Sequence, residues 1–172
     1  MTAQTDFEAA RLAFWSYSLA TYAREEVEDL CLRLQDDHGF DVNVLLICLW
    51  VAETDQAVVR SGEIAALRAA TAAWMADIVE PLRRIRRRLK DPLPYQLTPD
   101  VSDPCRSIVK TAELEGERIE QLLLVRTLRP DRPAEKGSAK EAAVESLAAY
   151  ATLLDEPGAA EPLAQLVEVV FA

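Results

Sequence analysis

The densest concentration of chemistry-bearing side chains is the run L-Q-D-D-H-G-F-D-V-N, Leu34 to Asn43, which sets Gln35, Asp36, Asp37, His38, Asp41 and Asn43 around one turn. Oxygen ligands gathered on a turn can hold a hard cation such as Mg²⁺ or Ca²⁺. The spacing departs from the D-x-D-x-D-G calcium loop, however, and Asp, Asn and Gly are also what a helix stop followed by a helix start requires. The capping reading therefore outweighs the metal reading, and no metal site is assigned.

A second concentration is K-T-A-E-L-E-G-E-R-I-E-Q, Lys110 to Gln121. At about 100° per residue, Ile108, Ala112, Glu115, Ile119 and Leu122 share one narrow arc, which predicts Glu115 inside the apolar stripe with a buried ion-pair partner. Glu113 and Glu117 then fall on the opposite, wetter side, with Lys110 placed to pair with Glu113. If Asp36, Asp41, Glu113 and Glu117 nevertheless converge, a carboxylate-lined pocket forms between the 35–43 turn and the 110–121 helix.

The third concentration is basic. Arg83, Arg84, Arg86, Arg87, Arg88 and Lys90 hold about a third of the 19 Lys and Arg residues in a chain of net charge −10. Such a cluster either binds an anion or a membrane surface, or neutralises the Glu-rich helix from within, and neighbouring positions cannot all face one way.

Several familiar chemistries are excluded by counting. His38 is the one histidine, so a two-His metal site or paired E-x-x-H di-iron motifs cannot be assembled, and no G-x-S-x-G elbow supports a hydrolase. None of the 5 glycines sits in a phosphate-binding loop, and no cofactor is expected. Cys31, Cys48 and Cys105 form no C-x-x-C pair and read as reduced thiols. The acidic balance disfavours nucleic acid. No signal peptide is visible, and the longest apolar run, Val44 to Ala52, is far short of the roughly 20 residues that cross a bilayer, so a cytoplasmic chain without a transmembrane segment is expected.

The elements that must position these residues read as helices throughout. Asp6 is placed to cap a first helix to about Ala23, with Phe7, Ala10, Phe14, Tyr17 and Thr21 on one stripe and Trp15 and Tyr22 widening it. A second helix from about Arg24 stops at Gly39, and Asp41 caps a third, Val42 to about Thr54, whose apolar residues occur all round and place it in the centre. A fourth starts at Gly62, and Pro81 kinks it or opens a fifth that ends near Lys90. Asp91 to Pro104, with four of the 9 prolines, reads as an extended connection. A long helix from about Asp103 to Leu128, a loop Arg129 to Gly137, and helices over Ser138 to Leu154 and Glu161 to Phe171 complete an all-α, irregular single-domain helical bundle of about six to eight helices.

The blocks F-W-x-Y-S-L-x-x-Y-A, Phe14 to Ala23, and C-L-x-L-Q-D-x-x-G-x-D-V-N-x-L-L-x-C-x-W, Cys31 to Trp50, resemble a family of short uncharacterised proteins from Gram-negative bacteria, catalogued as a domain of unknown function. The resemblance continues through P-L-R-x-I-R-R-x-L-K and V-K-x-A-E-L-E-x-E-R-x-E-Q, covers about Ala13 to Leu124, and divides the chain into a core, 2–128, and variable C-terminal helices, 129–172. It implies an all-α bacterial protein and carries no catalytic residue. It does direct attention to Trp15, Tyr17, Gln35, Asp36, Asp41, Asn43, Arg83, Lys110, Glu113, Glu117 and Gln121, to which the basic cluster adds Arg84 and Arg87.

Three functions remain in view, ordered by how complete their residues are. The first is a helical interaction or adaptor domain whose partner is another protein or a second copy of the chain. The second is a small-molecule or divalent-metal enzyme using the carboxylate-lined pocket. The third is an anion or membrane-surface binder using Arg83 to Lys90.

Overall fold

The computed structural model describes residues 3–90, 97–128 and 137–172, and every regular element among them is helical. In chain order they are α1 (Ala3–Tyr22), α2 (Val27–His38), α3 (Val42–Asp55), α4 (Ser61–Trp74), a π-turn (Met75–Val79), α5 (Glu80–Arg88), α6 (Pro99–Thr127), α7 (Ala139–Leu154) and α8 (Ala160–Val170), the last entered through one 3₁₀ turn (Pro157–Ala159).

The turn between α2 and α3 is built as its residues dictate. Gly39 takes φ 70°, a left-handed conformation that suits glycine, and the amides of Gly39 and Phe40 bond back to the carbonyls of Gln35 and Leu34. Asp41 then caps α3, its Oδ1 accepting from the amides of Asn43 at 2.9 Å and Val44 at 3.4 Å. The Asp41 amide itself donates to the Tyr150 hydroxyl at 3.0 Å, which pins the turn to α7.

From that cap α3 runs through the centre, as its all-round apolar composition predicts. Asn43 to Leu49, Val51 and Ala52 are all buried, and α1, α2, α4, α6 and α7 pack around them. One hydrophobic cluster draws on α1, α2, α3, α4, α6, α7 and α8, with Phe40 and Tyr150 meeting edge to face at 4.7 Å.

Two expectations are corrected and one is met. The first helix starts at Ala3, before Asp6 rather than capped by it. The long helix starts at Pro99 instead of Asp103, because a proline in the first turn gives up an amide that has no helical partner anyway, and Pro104 is carried inside the helix. Pro81 stands in the first turn of α5, as the second of the two expected outcomes has it, and α4, the π-turn and α5 follow one another as one rod, the wider turn falling just ahead of the proline. Of the loops expected over 91–104 and 129–137, residues 91–96 and 129–136 lie outside the described residues, and Pro99 to Pro104 are helical.

Candidate binding cleft

α6 lies against α1, α3, α4 and α5, and the face it turns toward them is polar. Glu113, Gly116, Glu120 and Gln121 are buried, with Leu124 and Val125 continuing the face. Gly116 makes the approach possible. A Cβ there would sit 3.3 Å from Val79 Cγ2, and its carbonyl accepts from Trp74 Nε1 at 2.9 Å.

The stripe of Ile108, Ala112, Glu115 and Ile119 therefore points outward, against the expectation that it forms the core. Ile108, Ala112, Glu115 and Ile119 are exposed, and among the described residues Glu115 pairs only with Arg118 one turn along, at 3.7 Å. The two acids placed on the wetter side turn inward instead, Glu113 buried and Glu117 half-buried. Their partners are arginines of α5 rather than Lys110: Arg83 reaches Glu113 at 3.2 Å and Glu117 at 2.9 Å, and Arg86 grips both Glu113 oxygens. Burying carboxylates is tolerable because two guanidinium forks enclose them. Burial pushes the Glu113 carboxyl up, but the hydrogen bonds and charges of Arg86 and Arg83 together hold it below its usual range. At Glu117 burial wins over Arg83 and raises it, helped by the neighbouring charges of Glu113 and Asp41.

Beneath this pair lies a fully buried acid that sequence periodicity does not single out. Glu120 accepts from Asn43 Nδ2 at 2.7 Å, and Asn43 Oδ1 accepts from Gln121 Nε2 at 2.7 Å, so α3 and α6 are joined through a chain of amides. Burial, reinforced by the adjacent Asp41 carboxylate, pushes the Glu120 carboxyl up to about 10. The rise favours the protonated form of Glu120 at neutral pH beside the Asp41 carboxylate. The signal that could have found it is the arc itself: Glu113, Gly116 and Glu120 share one face, with the glycine marking close helix approach.

Above this floor opens a cleft of about 1330 Å³ between α1, α2, the rod and α6. Trp15 supplies an aromatic wall, and Gln35 and Asp36 stand on the α2 side opposite Arg83, Arg84 and Arg87 of α5. Asp41, Asn43, Glu117 and Gln121 line the floor, and Glu113 and Lys110 lie along α6. Every residue to which the family pattern directs attention, with Arg84 and Arg87, thus faces this space except Tyr17, whose phenol turns toward Thr21 and Glu53 and is raised by burial.

The basic cluster divides between the two roles open to it. Arg83 and Arg86 neutralise the long helix, and Arg87 spans to Asp36 of α2 at 2.9 Å, where the Gln35 and Arg87 hydrogen bonds outweigh slight burial and lower the Asp36 carboxyl. Arg84 and Lys110 line the cleft without an ion-pair partner among the described residues.

The turn that looked like a cation site is otherwise engaged. His38 Nδ1 lies 3.2 Å from Glu156, Asp37 faces solvent, and Asp41 is committed as a cap. No three His, Cys, Asp or Glu side chains converge on a point that could hold a metal among the described residues. No described helix is long and apolar enough to cross a membrane.

Comparison with known proteins gives a match of residues 13–124 to the family described as a protein of unknown function (DUF2390), a stretch that contains every singled-out residue of the cleft. No curated protein matches, and no solved structure does.

Proposed function

The chain belongs to the DUF2390 family, whose description names no activity, and from the geometry of the cleft we propose that it is a helical binding module holding an acidic segment of another protein. The observation that carries this reading is the cleft's size and lining taken together. Its volume of about 1330 Å³ exceeds the roughly 300–1,000 Å³ of ordinary small-molecule pockets, and it is an open groove between helices. Laying a polypeptide segment between helices is a recurrent use of such a surface. Arg84 and Lys110 supply uncommitted positive charge along its wall, so acidic side chains fit there. The pocket carboxylates Glu113 and Glu117 are occupied by Arg83 and Arg86, which favours a binding role over catalysis by free carboxylates. Cys31, Cys48 and Cys105 are in no disulfide among the described residues, which is in keeping with work in the cytoplasm.

Selection of random peptides on the immobilised chain tests the reading. Enriched peptides are expected to be acidic, and their affinity, followed by fluorescence anisotropy, should fall at least about tenfold in the double variant Arg84→Glu, Lys110→Glu. Val144→Glu, on the exposed side of α7, should leave it unchanged. Enrichment of peptides that bind both variants equally would contradict the reading, as would enrichment of none.

A further inference from the structure

The outward stripe of α6 has a spacing that the cleft does not use. Val101, Cys105, Ile108, Ala112, Glu115, Ile119 and Leu122 follow one another at intervals of 4, 3, 4, 3, 4 and 3. This is the heptad seam by which one helix packs along another, sustained over a length of about 32 Å. It lies on the outside of the molecule: Val101 is 59% exposed, Ile108 72% and Ile119 42%, while Cys105 and Ala112 are exposed as well. Beside it Ile78 and Ile85 of the rod are also exposed, and Ile78 Cγ2 lies 3.8 Å from where a Cβ on Gly116 would stand.

We infer that this seam joins two copies of the chain as an antiparallel, two-fold dimer. The charge on the seam selects both the occupant and the direction. Glu115 is its single ionised residue and is already paired with its own Arg118. A parallel pairing would set Glu115 against the partner's Glu115, a like-charge contact in a desolvated seam. Run antiparallel, the six residues from Cys105 to Leu122 are self-complementary. Ala112 meets the partner's Glu115, Ile108 meets the partner's Ile119, and Cys105 meets the partner's Leu122, so each large residue faces an apolar or small one and each contact occurs twice, as a two-fold axis requires. The area fits a dimer in exchange with monomer. A strip about 32 Å long and about 20 Å wide, spanning α6 and the adjoining rod, covers about 640 Å² per copy, somewhat below the roughly 800 Å² of a standard interface.

Sedimentation velocity of the full chain, from about 5 µM to about 500 µM, reads the proposal directly. The weight-average mass should rise from the 19.1 kDa of one chain toward twice that value. Ile108→Glu should move the midpoint to more than about tenfold higher concentration, with an unchanged circular dichroism spectrum because the side chain is exposed; Ile119→Lys gives the same readout should the first variant fold poorly. Because the interface is apolar and two copies of net charge −10 repel, added salt should strengthen association. Direction is read by oxidation with copper phenanthroline: Leu122→Cys should give a disulfide-linked dimer that Cys105→Ser removes, and the native chain should give none. A mass that stays at one chain throughout, a dimer untouched by Ile108→Glu, or efficient crosslinking through Cys105 alone overturns the proposal. Arg84→Glu with Lys110→Glu leaves the mass as it was, so the dimer and the peptide cleft fail separately.

Discussion

Replacing Glu120 by Gln isolates the proton that the buried floor holds. The amide has the shape of the protonated acid: its oxygen can accept from Asn43 Nδ2 as Glu120 does, and it has no proton to lose on titration. In the native chain the Glu120 carboxyl is raised from 4.5 to about 10 by burial and by Asp41, while the unfolded chain keeps the ordinary value. Between those values the folded state binds one more proton than the unfolded state, so raising the pH removes stability, by about 1.4 kcal/mol per pH unit for this group. Its contribution is complete below about pH 4.5 and declines through the neutral range. From pH 6 to pH 8 the native chain therefore loses about 3 kcal/mol that the Gln variant does not, about 6–12 °C in melting temperature for a chain of this size. Urea unfolding of both proteins at pH 5, 6, 7 and 8 measures the difference, and the other titrating groups cancel in it. The variant should gain on the native chain with each unit. A difference that stays flat with pH, or a variant weaker by the same amount at every pH, would refute the buried, protonated Glu120.

Other expectations follow from the same contacts. Asn43→Leu removes the link between Glu120 and Gln121 and leaves buried polar atoms without partners, so unfolding free energy should drop by about 2–4 kcal/mol in a denaturant titration. Gly116→Val would push a branched side chain into Val79, where even a Cβ stands at 3.3 Å, and should cost about 1–3 kcal/mol by the same assay. Leu45→Ala, in the centre of α3, should cost about 2–5 kcal/mol, whereas the same change at the exposed Leu12 should cost far less.

The contrast between α3 and α6 shows what sequence pattern can reach. α3 was legible because it is apolar on all sides and opens on an Asp after a glycine stop; both signals are local, and its position and its cap follow from them. α6 was legible as a helix but not in its orientation. Its most hydrophobic stripe, through Ile108 and Ile119, faces out, and its inner face is Glu113, Gly116, Glu120 and Gln121. That inversion is stable because α5, about 30 residues earlier in the chain, brings Arg83 and Arg86 to the carboxylates, and because α3 brings Asn43 to Glu120. Hydrophobic periodicity weighs a helix by its own residues and has no term for partners supplied from elsewhere. The polar residues singled out in sequence fared better. Asp, Asn, Arg and Glu clustered on three separate segments close into one cleft, because α6 packs both on α3, which carries Asp41 and Asn43 at its start, and on α5, which carries the arginines.

The central claim is that these three segments form one binding surface, and hydrogen exchange of the full chain tests it most directly. With an enriched acidic peptide at saturation, amide exchange should slow together in 34–43, 80–88 and 110–121, and remain unchanged along α8. Slowing confined to α7 and α8, or to the 101–108 stretch alone, would contradict the account.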